Sequence, residues 1–266
     1  MKKICFILLL IVLTKTYSTA QAPTQKGLVV YNYVFIMDTV QGSLGTETES
    51  FLYFDTEKRQ SVYIWNRKSK LKSSELMKNS DGSVYMKVKN GSSDPIGNIV
   101  FKDYKKNNIV ERQGKTETKI ISDSFSISWQ ISEETKTIKD MVLQKAECDF
   151  RGRRYTAWFN PKIPVSDGPW KLRGLPGLII EAYDEMKHVQ FNFTSLTLSA
   201  EFSEKIEAPS DGTPVVYDCV KFTDDFYKKI RELGRAMSGK VEQLGGTVTV
   251  PNGGSGIKTN LIERCY

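Results

Sequence analysis

Ser83-Val84-Tyr85-Met86-Lys87-Val88-Lys89 alternates polar with apolar side chains, between the turn-forming Asn79-Ser80-Asp81-Gly82 and Asn90-Gly91. Successive side chains of an extended strand point to opposite faces, so a period of two specifies a strand with one buried and one wet face. Asn-Gly and Asp-Gly are hairpin turns. The pattern recurs at short intervals. Val29-Val30-Tyr31-Asn32-Tyr33-Val34-Phe35-Ile36, Glu49-Ser50-Phe51-Leu52-Tyr53-Phe54 and Ser61-Val62-Tyr63-Ile64-Trp65 are rich in β-branched and aromatic residues. Ser126-Ile127-Ser128-Trp129-Gln130-Ile131 and His188-Val189-Gln190-Phe191-Asn192-Phe193 alternate again. About ten to twelve strands follow from these signals, at the spacing of all-β folds. No long helical pattern separates them, which excludes a parallel βαβ sheet. The expected fold is mainly β: a curved antiparallel sheet, forming an open or partial barrel.

One segment has a different period. Phe222, Phe226, Ile230, Leu233, Met237, Val241 and Leu244 recur at steps of three and four, an apolar stripe on one helix face. Thr223 caps this helix and Asp224-Asp225 place negative charge at its positive end. Gly234 and Gly239 each cost ~1 kcal/mol relative to Ala, which burial of the stripe must offset. The expectation is one C-terminal amphipathic helix over about 223–244, packed across the sheet, then a glycine-rich loop over 245–256.

The N-terminus reads as a signal peptide. Lys2-Lys3 precedes an apolar stretch over residues 4–13, too short to span a bilayer, and Ser18-Thr19-Ala20 offers a cleavage site before Gln21. Residues 1–20 are therefore expected to be removed and 21–266 to form a single β-rich domain, periplasmic or secreted. The first twenty residues hold Lys2, Lys3 and Lys15 and no acid, so net charge is +4 without them and +7 with them. That excess is too small for a nucleic-acid binder. Export permits disulfides, and Cys148, Cys219 and Cys265 allow at most one internal bridge, with all three pairings open.

Catalytic signatures are sparse. Gly234-Arg235-Ala236-Met237-Ser238-Gly239-Lys240 lacks the hydroxyl of a phosphate-binding loop, having Val241 in its place, and falls inside the helical stripe. His188 is the only histidine, which removes every metal site needing two imidazoles. It reads as a solvated strand start. Ser69-Lys70-Leu71-Lys72 and Ser255-Gly256-Ile257-Lys258 lack the companion Lys-Thr-Gly box of a Ser-x-x-Lys enzyme. No catalytic residue, metal or cofactor follows from these motifs. Arg151, Arg153 and Arg154, with Tyr155 and Trp158, offer a site for an anion or a stacked ring. The alternative is a hairpin whose arginines pair with Glu147 and Asp149.

The densest signal is Gly168-Pro169-Trp170-Lys171-Leu172-Arg173-Gly174-Leu175-Pro176-Gly177-Leu178-Ile179-Ile180-Glu181-Ala182. Pro176 forces Leu175 into an extended conformation, and Pro-Gly is favoured at the centre of a type II turn. Leu178-Ile179-Ile180 is apolar on both faces, as in a strand buried on both sides. Gly174-Leu175-Pro176-Gly177-Leu178-Ile179 resembles the motif that names the GLPGLI family of Bacteroidota. Gly152-Arg153-Arg154-Tyr155-Thr156-Ala157-Trp158-Phe159, Ile163-Pro164 and Gly168-Pro169-Trp170 are similar to that family's lead-in, and Asn260-Leu261-Ile262-Glu263 to its ending. The resemblance implies an exported envelope protein with no established activity, cofactor or catalytic residue.

Two readings of the motif follow. In one, its turns aim a buried strand into the core beneath Trp170. In the other, Trp170, Arg173 and Trp158 contact a ligand. The expected function is a non-catalytic binding protein, a monomer, for an apolar or lipid-like ligand. The alternatives are a carboxylate-dependent hydrolase and a scaffold partner of an outer-membrane complex.

Overall fold

The computed structural model describes residues 26–39, 42–65, 67, 73–78, 84–89, 94–114 and 117–217. The signal peptide, the helix of 223–244, the loop of 245–256, Cys219 and Cys265 lie outside the described residues.

The strands in chain order are β1 (Lys26–Thr39), β2 (Gly42–Asp55), β3 (Gln60–Trp65), β4 (Ser73–Lys78), β5 (Val84–Lys89), β6 (Asn98–Asp103), β7 (Asn108–Gln113) and β8 (Lys119–Asp123). Then come β9 (Gln130–Ile138), β10 (Met141–Phe150), β11 (Arg153–Asn160), β12 (Leu178–Asp184), β13 (Val189–Leu198) and β14 (Thr213–Val216). All belong to one 14-stranded sheet, in the order β14-β8-β7-β6-β3-β2-β1-β13-β12-β11-β10-β9, with the β4–β5 hairpin attached to β2. Strands β9 and β14 stand at opposite ends of that order, so the sheet does not close into a barrel.

The sheet is mixed, which corrects the wholly antiparallel expectation. β14 pairs β8 in parallel through Thr213↔Lys119, and β5 pairs β2 in parallel through Ser43↔Tyr85. The second pairing is possible because β2 is long: Ser50–Asp55 pairs β3, while Ser43–Thr46 is left for the β4–β5 hairpin. No helix occurs among the described residues.

Alternation sorts the side chains. On β1, Val29, Tyr31 and Tyr33 enter the main core, while Val34 and Ile36 form a small cluster apart from it. Ala146, Ala157 and Ala182 are register partners across β10, β11 and β12, all fully buried. Such small side chains leave room over this face, and the connection over residues 161–177, between β11 and β12, fills it. Trp170, Leu172 and Leu175 of that connection are at most 1% exposed. A buried loop must satisfy its own backbone groups. Here the Leu178 amide donates to Ile163 O at 3.1 Å, that of Ile179 to Asp167 O at 2.8 Å, and that of Gly174 to Ser166 O at 3.3 Å.

Candidate functional site

Two hairpin turns of the same design build one wall of a cleft. The Oδ1 of Asp55 accepts from the amides of Glu57 and Lys58, both at 3.0 Å, and the turn ends on Arg59 at φ 56°. The Oδ1 of Asp103 accepts from Lys105 and Lys106, both at 3.0 Å, and that turn ends on Asn107 at φ 49°. Because β3 and β6 are neighbours the turns abut, and the Tyr104 amide donates to Arg59 O at 3.0 Å.

The opposite wall comes from residues 125–127 and from the 161–177 connection. Together they enclose a cleft of about 1100 Å³, lined by Phe54, Tyr104, Phe125, Ile127, Val165 and Arg173 among others. Phe125, Ile127 and Trp129 lie partly buried against the core while the intervening serines are exposed. The alternation expected over 126–131 is therefore present in burial, but the strand begins only at Gln130, and residues 124–129 belong to no ladder.

Beneath the cleft lies a buried polar layer. Lys102 and Asp167, both fully buried, meet at 2.5 Å, and Lys102 Nζ also donates to Gly168 O at 2.7 Å. Burial holds the Lys102 amine below its ordinary range; Asp167 opposes that shift and Arg173 adds to it. Burial also raises the Tyr31 and Tyr104 phenols well above the usual value, with Asp167 pushing the same way. Lys171, fully buried, bridges Glu111 at 2.8 Å and Asp123 at 3.4 Å. The connection is thus tied to β6, β7 and β8, while Trp170 packs against Phe150 of β10 and Tyr155 of β11 at 5.7 and 6.4 Å.

The residues expected to contact a ligand are placed differently. Arg173 and Gly174 line the cleft. Trp170, 1% exposed, lies in the core and not on the lining. Trp158 has the opposite orientation on β11 to Tyr155 and so faces away from Trp170: Lys136 Nζ lies 4.4 Å from its ring centroid, and its Nε1 donates to Tyr183 Oη at 3.3 Å. Within the motif, Leu175, Gly177, Leu178 and Ile179 are buried, and Gly174 and Pro176 exposed. The expected positive φ does not fall on Gly177; it falls on Trp170 at 51° and Gly174 at 99°. Gly177 is required by close approach, since a Cβ there would lie 2.3 Å from Asn160 O.

The arginine cluster divides. Arg154 pairs with Glu147 on the surface at 2.9 Å, Arg153 with buried Asp184, and Arg151 with Asp123 at 2.7 Å. Cys148 is buried on β10, and burial with nearby Asp149 pushes its thiol up to about 12. His188 is 9% exposed, not solvated, and its carbonyl accepts from the Ile36 amide at 2.7 Å. Among the described residues no group of three His, Cys, Asp or Glu side chains is arranged to hold a metal ion, and no helix is long and apolar enough to cross a membrane.

A carboxyl acting as general acid needs a raised pKa. The shifted carboxyls Asp94, Asp103 and Glu147 all move down. For Asp103, burial is outweighed by hydrogen bonds from Gln60 and the Lys106 and Lys105 amides. No local pattern pointed to Lys102 and Asp167, whose partnership joins residues distant in the chain. The paired turns had a signal: Asp-Thr-Glu-Lys-Arg-Gln over 55–60 parallels Asp-Tyr-Lys-Lys-Asn-Asn over 103–108.

Residues 150–181, which take in strand β11 and the buried connection, match the model of a family described as "Protein of unknown function (Porph_ging)". No curated protein matches the chain. Two structures of PNGF-II, in space groups P21 and C2, are similar at TM-scores of 0.47, with 13% and 14% identity. They align over 77% of this chain but only 34% and 33% of their own length, so the chain spans about a third of PNGF-II. The crystal structure of an uncharacterized conserved protein from Thermus thermophilus is similar at a TM-score of 0.38 and 10% identity, over 73% of this chain and 91% of that one.

Proposed function

We propose that the chain is an exported envelope protein of the GLPGLI family, periplasmic or secreted, whose cleft binds an apolar or lipid-like ligand without transforming it. The observation that carries this reading is the cleft. Its volume of about 1100 Å³ lies just above the range of roughly 300–1,000 Å³ common for small-molecule sites. Phe54, Phe125, Ile127, Pro164 and Val165 supply the apolar part of the lining, and Asp55, Glu57, Arg59, Gln60, Asn107 and Arg173 are among the polar side chains that share it. Export rests on the basic, apolar and small-residue series of the first twenty residues.

Native mass spectrometry of the protein purified from its own cell envelope, followed by denaturing extraction, tests both parts. The expected result is a polypeptide that starts at Gln21 and releases a small molecule of defined mass. A bare polypeptide overturns the binding reading and moves it to a protein partner. A chain retaining residues 1–20 overturns export.

A further inference from the structure

Five lysine and arginine side chains are buried among the described residues: Lys102, Arg112, Arg153, Lys171 and Arg173. Four have acids. Lys102 has Asp167, Arg112 has Asp94 and Asp211, Arg153 has Asp184, and Lys171 has Glu111 and Asp123. Arg173, 7% exposed, has none among the described residues. Its Nη2 donates to Asn107 Oδ1 and, at 3.0 Å, to Phe125 O, both neutral acceptors. The guanidinium lies 5.8 and 5.5 Å from the Tyr104 and Phe125 ring centroids. An arginine cannot escape burial by losing its proton, so a buried guanidinium without a counter-charge is costly.

The same side chain lines the cleft, and its backbone is fixed there. Trp129 Nε1 donates to Arg173 O at 2.8 Å, and the next residue is Gly174 at φ 99°. Arg59 lines the cleft too and makes no ion pair with a described residue. Asp55 and Glu57 line the wall as well: the Asp55 Oδ1 is committed to the amides of its own turn, Glu57 is exposed to solvent, and neither forms an ion pair with Arg173.

We infer that the missing counter-charge is the ligand's: the cleft takes an amphiphile whose anionic head, a carboxylate or a phosphate, pairs with Arg173. Its apolar body lies along Phe54, Phe125, Ile127 and Val165. This rests on the binding reading above and specifies its ligand class. With Nε and Nη1 uncommitted among the described residues, the planar guanidinium suits either oxyanion as a fork.

The test is calorimetric titration of the full mature chain with dodecanoate, dodecyl phosphate and dodecanol, each below its micelle concentration or solubility limit. The expected result is that at least one anionic amphiphile binds about tenfold or more tighter than dodecanol, as a charge-assisted hydrogen bond provides. The stronger of the two identifies carboxylate or phosphate as the head. In Arg173→Met that preference disappears. Equal affinity for all three in the unaltered protein overturns the anionic head and leaves the apolar reading standing. No binding of any of them overturns both. The unaltered protein alone decides the outcome should Arg173→Met fail to fold.

Discussion

The two faces of the β9–β12 part of the sheet carry the same kinds of charge and use them differently. On the outer face, Lys145 bridges Glu134 at 2.9 Å and Glu147 at 3.3 Å, while Arg154 meets Glu147 and Lys136 meets Glu181 at 2.6 Å. Arg154 and Lys145 hold the Glu147 carboxyl below its usual value. Water screens such exposed pairs, and ordering their side chains costs entropy, so they add little to stability. On the inner face the charges belong to the 161–177 connection, where Asp167 meets Lys102 and Lys171 meets Glu111 in full or near-full burial. There the attraction is strong but desolvation nearly cancels it, so these pairs add little net energy, while removal of one partner leaves an uncompensated buried charge. Loss of a pair is therefore expected to be tolerated in the outer ladder and not among the inner pairs.

Three substitutions put that contrast at risk. The largest effect belongs to Gly177→Val, where even the first added carbon meets backbone at Asn160 and Pro161, neither of which can move aside. No folded protein is expected, by circular dichroism and size-exclusion elution; a cooperative melt close to that of the parent would remove the case for close approach. Next comes Lys102→Met, which strands the Asp167 carboxylate in the core and costs about 3–5 kcal/mol in urea unfolding. Adding Asp167→Leu should restore much of that loss, and a double variant no better than the single one would show that the pair is not the origin. The smallest effect belongs to Lys145→Ala, with a thermal midpoint unchanged within error. A clear drop there would mean that the outer ladder is structural after all.

Strand positions were readable because a period of two needs no tertiary partner to be seen. Val84–Lys89 is a strand as its alternation requires, and so is Val189–Leu198. Residues 126–129 show the limit: alternation reports side chains turned inward by turns, not a ladder. The cleft was less legible. Arg173 and Gly174 lie in the densest motif, yet other lining residues, such as Phe54 and Asp55, come from turns and segments far away in the chain. The two aspartate-capped turns were visible as a repeated pattern, but nothing local says that they abut.

A mainly β chain, the inner and outer faces of its strands, and a Gly-Pro-rich connection leading into a strand buried on both sides were all written in the order of the residues. These are properties of a few neighbours: alternation, turn chemistry and the fixed φ of proline. Only the folded arrangement made the sheet mixed, sent Trp170 into the core while Trp158 faces the other way, and stood Arg173 in a cleft where it makes no ion pair with a described residue. The reason is that burial and charge pairing join residues distant in the chain. Lys102 and Asp167 become partners only when the loop folds back across β6.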